Sequence, residues 1–183
     1  MRGRLVNSAG QPIQGAQVRI ATRVLTGDRG FREQRPVTTG HDGGFAYRAP
    51  RGPSRQILVT YTAFAEDAQP SATKLLRLKT RAGVSMRANR HRVRPGGRVR
   101  FHGRLKGGHL PRRGVIVSLQ GYQRGYGWRT FRTVRARHGK FSGSYRFVRA
   151  APGTRIRFRA TVREQATYPW ATGRSRPTGV RIR

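Results

Sequence analysis

The chain of 183 residues contains no cysteine. A disulfide framework, a zinc-thiolate centre and a thiol nucleophile are therefore excluded, and stability has to come from packing alone. Acidic side chains are almost as scarce, with Asp and Glu totalling 6 against 40 Lys and Arg. Hydrolysis by paired carboxylates needs two acids converging on one bond. Here Asp28 and Asp42 stand in glycine-rich turn contexts, Glu66-Asp67 in a polar connection and Glu164 after a strand pattern, while Glu33 is isolated. His41, His91, His102, His109 and His138 form no H-E-x-x-H or comparable spacing, so no metal site is expected. A nucleophile elbow and the glycine-rich phosphate loops are missing as well. These absences argue against an enzyme and against a cofactor. No apolar run approaches the ~20 residues of a membrane-spanning helix, and no apolar stretch follows Met1-Arg2 as in a signal peptide. Either the protein stays inside the cell or a leader precedes this sequence.

The residues present are dominated by arginine, which outnumbers lysine 36 to 4 within a net charge of +34. The guanidinium fork pairs bidentately with phosphate and carboxylate, although the codon usage of a GC-rich genome would produce the same bias. Eight Phe, 6 Tyr and 2 Trp are more aromatic mass than a disordered chain of this charge carries, so a packed core is expected. Alternation is strict: in Arg98–Leu105 the residues Val99, Phe101 and Leu105 point one way, and Arg98, Arg100, His102 and Arg104 the other. Further strands are expected at 5–6, 17–24, 44–48, 56–64, 73–80, 84–89, 115–122, 128–136, 140–148, 155–162 and 180–183. Turn residues separate them at roughly 8–12-residue spacing, the rhythm of a sandwich or barrel. The stretch 64–72 has room for one helical turn.

An internal repeat divides the chain. Gly3-Arg4-Leu5 is followed by Pro12, Gly15 and Val18, then by Asp42-Gly43-Gly44-Phe45; Gly103-Arg104-Leu105 is followed by Pro111, Gly114 and Val117, then by His138-Gly139-Lys140-Phe141. The Gly-to-Phe intervals are 30 and 27 residues. One module used twice predicts an all-β chain of two tandem immunoglobulin-like or transthyretin-like β-sandwiches, at 1–82 and 83–183, with the junction near Ala82-Gly83. Residues 1–83 hold 14 basic and 5 acidic side chains, and 84–183 hold 26 and 1.

The motif Gly10-x-Pro12-Ile13-x-Gly15-Ala16-x-Val18, with Thr38-Thr39-x-x-Asp42-Gly43-x-Phe45 and Val59-x-Tyr61, resembles the carboxypeptidase-regulatory-like (transthyretin-like) family. The second module, through Pro95-Gly96-Gly97-Arg98-Val99, Trp128-Arg129-Thr130-Phe131 and Tyr168-Pro169-x-Ala171-Thr172-Gly173-Arg174-Ser175, is similar to Arg-rich Ig-like domains of actinobacterial surface or secreted proteins. That resemblance implies a non-catalytic structural or adhesive module, secreted or on the cell surface, and transfers no site.

The candidate site is a cationic face. If 155–163 and 180–183 are the neighbouring F and G strands of an Ig-like sandwich, alternation turns Arg155, Arg157, Arg159, Arg163, Arg181 and Arg183 outward together. Such a row suits an anionic polymer: an envelope polysaccharide, or alternatively nucleic acid bound without sequence preference inside the cell. The same arginines also read as a solvated coat that blunts sheet edges. In Tyr122–Trp128 the exposed-loop candidate for ligand contact is Tyr126, while Trp128 is expected in the core.

Overall fold

The computed structural model describes residues 1–26, 30–64, 66–148 and 151–183; Asp28 lies outside them. The chain is all-β, with no helix among the described residues, 64 and 66–72 included; residue 65 of the expected helical turn lies outside them. It forms two compact units, Met1–Lys79 and Thr80–Arg183. The division falls three residues ahead of Ala82-Gly83, because Thr80 and Ala82 exchange backbone hydrogen bonds with Ala171 (2.8 and 2.9 Å) and Ala82 is buried in the second unit's core.

In the first unit β1 (Arg2–Arg4) pairs with β5 (Gly44–Ala46). A second sheet has the order β3 (Arg32–Glu33), β2 (Gln17–Val24), β6 (Arg55–Tyr61), β7 (Ala72–Leu78), and β4 (Val37–Thr38) also pairs with β2. The expected strand at 5–6 lies earlier, at 2–4, since Leu5 leaves the ladder: its N–H donates to Gly43 and its carbonyl accepts from Ile13. The core is thin. Val18, Ile20 and Ile57 are buried, and between the two sheets a cleft of about 410 Å³ is lined by Leu5, Val18, Phe45, Val59 and Leu76.

The second unit is an immunoglobulin-like sandwich. One sheet has the order β13 (Lys140–Arg146), β10 (Arg98–Lys106), β8 (Gly83–Ala88). The other runs β12 (Gly127–Ala136), β11 (Val115–Gln123), β14 (Arg155–Val162), β16 (Thr178–Ile182), β9 (Arg92–Val93), with β15 (Gly173–Arg174) beside β14. The β9–β16 pairing is parallel and all the others are antiparallel. Inward residues of both sheets, among them Val99, Phe101, Val117, Leu119, Phe158, Ala160 and Val180, share one core and are 0–1% exposed. Tyr168 and Trp170 pin the segment before the last strand, the Trp170 indole N–H donating to the Gly108 carbonyl at 3.3 Å.

The repeat is a packing device. Gly3 faces Phe45 in the β1–β5 ladder, and Gly103 faces Phe141 in the β10–β13 ladder. In each unit the ring occupies the space of the missing side chain: a Cβ would stand 2.4 Å from Phe45 and 2.1 Å from Phe141. The His138-Gly139 hairpin turn has positive φ at both residues (48° and 74°), the two-residue geometry whose twist matches that of the flanking strands.

Candidate functional site: the outer face of the β14–β16 pair

β14 and β16 are neighbours, in a register that sets Arg155 opposite Arg181, Arg157 opposite Gly179 and Phe158 opposite Thr178. Phe158, Ala160 and Val162 are buried, so the odd-numbered residues of β14 stand on the outer face. Arg155, Arg157 and Arg181 are exposed there and Arg159 is half-buried. Arg163 and Arg183 each lie one residue past the end of their strand, at opposite ends of the row, and both are exposed.

Neighbouring aromatics hold the central guanidinium groups down. The Arg159 guanidinium carbon lies 4.1 Å from the centroid of the Trp128 ring, and that of Arg157 lies 4.5 Å from the centroid of Tyr122. The two rings meet edge to face at 5.5 Å. Arg159 Nε also donates to Gln120 Oε1 at 2.8 Å; the same oxygen accepts from the Thr161 hydroxyl at 3.0 Å, and Gln120 Nε2 donates to Thr130 Oγ1 at 3.2 Å. Arg155 leans across Gly179, where a Cβ would stand 3.0 Å from its Nε. Each of these arginines is thus positioned by neutral groups, leaving guanidinium edges free to pair with an anion.

Trp128 is half-buried on the outer face and does not enter the core. A bulge causes this. The β11–β12 register shifts between Leu119 and Gln120, which pair with Arg132 and Thr130, so Phe131 is the extra residue on β12. Strict alternation would turn Trp128 and Thr130 inward along with Val134 and Ala136; the bulge sends Phe131 inward instead, against Phe101 and Phe158.

Sequence patterning missed Arg92, exposed opposite Arg181 on β9, and it also missed Arg174. The latter stands opposite Thr161 in a two-residue strand, too short to show alternation. Burial first, and the charge of Arg174 second, pull the Arg159 pKa below its ordinary value. Arg159 remains a cation. Strands β9, β11, β12, β14, β15 and β16 contain no Asp or Glu, so the sheet itself supplies no counter-charge.

Tyr126 sits at the tip of the β11–β12 hairpin, 70% exposed between Gly125 and Gly127, whose φ angles are 82° and 73°. Among the described residues no three histidines or acids are grouped so as to hold a metal ion. Asp42 works within its turn, its carboxylate accepting the Gly44 N–H at 2.9 Å. No helix of the described residues is long and apolar enough to cross a membrane.

No family model matches the chain, and no curated protein matches it. Among solved structures it is similar to the Yersinia pseudotuberculosis adhesin InvE, at 13% identity and a TM-score of 0.39, covering 99% of this chain and 53% of that one. It is also similar to a tetra-tandem repeat in the extending region of a large adhesion protein, at 11% identity and a TM-score of 0.38, covering 92% and 42%. A third is the D0-D1 domain of Intimin, at 11% identity and a TM-score of 0.35, covering 98% and 87%. The chain spans about half the length of the first two structures.

Proposed function

We propose that the chain is a non-catalytic structural or adhesive module of a secreted or surface protein, and that its second unit holds an acidic envelope polysaccharide on the outer face of β14 and β16. The observation that carries this is the Arg155–Arg181 pair: two exposed guanidinium groups directly opposite each other, with no acid on any strand of their sheet. Like charges so placed repel, and an anion bound between them turns that repulsion into attraction. Outward side chains recur about 6.6 Å apart along a strand and neighbouring strands lie about 4.8 Å apart, spacings that follow a chain of carboxylates or sulfates.

The polysaccharide reading is favoured over single-stranded nucleic acid because Trp128 and Tyr122, the aromatic rings on the strands of this face, already carry guanidinium groups, which leaves Tyr126 at the hairpin tip as a lone free ring where successive bases need several to stack on. The finer family assignment belongs to the same proposal: the Gly10–Val18 and Asp42–Phe45 motifs favour a carboxypeptidase-regulatory-like first unit, and the Arg-rich strands an actinobacterial Ig-like second unit.

The test compares heparin binding by the wild type, by Arg155→Gln/Arg157→Gln/Arg181→Gln and by the exposed first-unit set Arg35→Gln/Arg48→Gln/Arg51→Gln across a salt series of about 50 to 200 mM, with affinities compared at about 150 mM, where exposed charges beyond ~8 Å are screened. The face variant is expected to lose at least tenfold in affinity and to show a flatter salt dependence, with the control near wild type. Equal losses in the two variants, or tighter binding of duplex DNA than of heparin by the wild type, would overturn the reading.

A further inference from the structure

The sheet on the other side of the second unit carries a charged face that the β14–β16 site does not use. In the β13-β10-β8 sheet Val99, Phe101 and Leu105 point into the core, which turns Arg98, Arg100, His102 and Arg104 outward, all exposed. The ladders join them into rows. Arg98 faces Arg146, Arg104 faces Lys140, and His102 stands between Ser142 on one side and Arg87 on the other. None of the three strands contains an acid.

Direct like-charge pairing occurs twice here, at Arg98–Arg146 and Arg104–Lys140, and it is destabilising in the absence of an anion. The surface is also hollowed. One cleft of about 900 Å³ is lined by Arg87, His102, Arg104, Arg135, Lys140 and Ser142, and a second of about 380 Å³ by Arg100, His102, Arg132, Ser142 and Ser144. The two adjoin at His102 and Ser142, one following the other along the strands as a grooved face, with hydroxyl donors set among cations. The inward residues of this sheet and of the β14–β16 sheet share one core, so the two cationic faces look in opposite directions.

We infer that the β13-β10-β8 face is a second anion-binding surface, and that the unit, with one such surface on each side, cross-links two chains of the same acidic polysaccharide. This rests on the function proposed above and adds to it: binding needs one face, bridging needs both.

The test mixes heparin fragments labelled separately with a donor and an acceptor fluorophore, adds the chain of residues 1–183 below saturation, and reads energy transfer between fragments. The variants are Arg155→Gln/Arg157→Gln/Arg181→Gln for the first face, Arg98→Gln/Arg104→Gln/Arg146→Gln for the second, and Arg35→Gln/Arg48→Gln/Arg51→Gln as a control of equal net charge. Circular dichroism confirms that each is folded, as substitution of exposed arginines allows. Wild type and control are expected to give transfer that disappears when protein is in excess. Each single-face variant, read at fragment concentrations raised until it is bound to the same extent as the wild type, should give transfer at least tenfold lower. Undiminished transfer in either single-face variant overturns the bridge, because one face, or self-association through it, would then suffice. Equal loss in the control overturns it in favour of diffuse charge, and wild-type binding without transfer overturns it outright. A wild type that fails to bind heparin at all overturns the proposed function, and the bridge with it.

Discussion

Gly103 lies directly across the β10–β13 ladder from Phe141, whose ring fills the space where any other residue at 103 would carry its side chain; a Cβ there would stand 2.1 Å from the ring and 2.4 Å from the Ser85 carbonyl oxygen. The ring is 5% exposed and belongs to the core, so it has little room to retreat. Gly103→Ala is expected to cost about 3 kcal/mol, the upper range for overpacking a core. Urea titration should show the second unit's transition moving to lower denaturant and the first unit's staying in place. An unshifted second-unit transition would show that Phe141 finds another rotamer at no cost.

The division at Lys79–Thr80 predicts how the second unit behaves alone. A fragment 80–183 keeps the two hydrogen bonds that Thr80 and Ala82 make with Ala171. A fragment beginning at Gly83 loses both, and with them the buried Ala82 methyl. At about 1 kcal/mol per hydrogen bond and a little under 1 kcal/mol for the methyl, the shorter fragment should be less stable by about 2–3 kcal/mol in thermal unfolding. Equal melting temperatures would place residues 80–82 outside the cooperative unit.

Like-charge pairs across the ladders predict a response to salt and to charge reversal. Arg104 faces Lys140 and Arg155 faces Arg181. The wild-type melting temperature should rise as ionic strength goes from about 10 to 150 mM. Lys140→Glu, which sets an acid opposite Arg104, should add about 1 kcal/mol at low salt, the repulsion removed and the attraction gained each contributing a few tenths. The gain should shrink at 150 mM. A salt-independent melting temperature would mean that the arginines already sit far enough apart.

Asp42 gives the first unit a signature in acid. The Gly44 N–H holds its carboxyl below the ordinary value; desolvation opposes this, and the charges of His41 and Arg4 assist. A carboxylate whose folded pKa is lowered adds stability above its unfolded value of about 3.9, and that contribution fades as pH falls through the lower folded value. Asp42→Asn should therefore lower first-unit stability at pH 6, with the gap to wild type closing below about pH 4. A gap that persists unchanged at pH 2.5 would assign the effect to shape rather than charge.

The long strands were legible because Arg and an apolar residue alternate along them: 17–24 and 155–162 coincide with β2 and β14. The same alternation put Arg155, Arg157, Arg159 and Arg181 on the outward side, but the pairing of the F and G strands entered only as a condition, and the register that sets Arg155 against Arg181 is visible only in the folded sheet. Strands β3, β4, β9 and β15 have two residues each, too few to carry a period, which is why Arg92 and Arg174 went unseen as members of the cationic face. Trp128 was misplaced for another reason. A bulge is specified by how two strands meet, and the sequence of β12 alone shows no sign that Phe131 breaks its alternation. The serine-lined face needed three strands in register before His102, Arg87 and Ser142 could be seen as neighbours.

The guanidinium resting on Trp128 gives the chain an optical readout of its own. Of its two tryptophans, Trp170 is shut into the core beside Gly107 and Gly108, where a surface ligand does not reach it. Trp128 lies under Arg159, so an anion that draws this cation aside changes the field across the indole ring and, with it, the wavelength and yield of its emission. Occupancy of the β14–β16 face can then be followed by fluorescence with no label attached, against an internal reference that stays dark to the event.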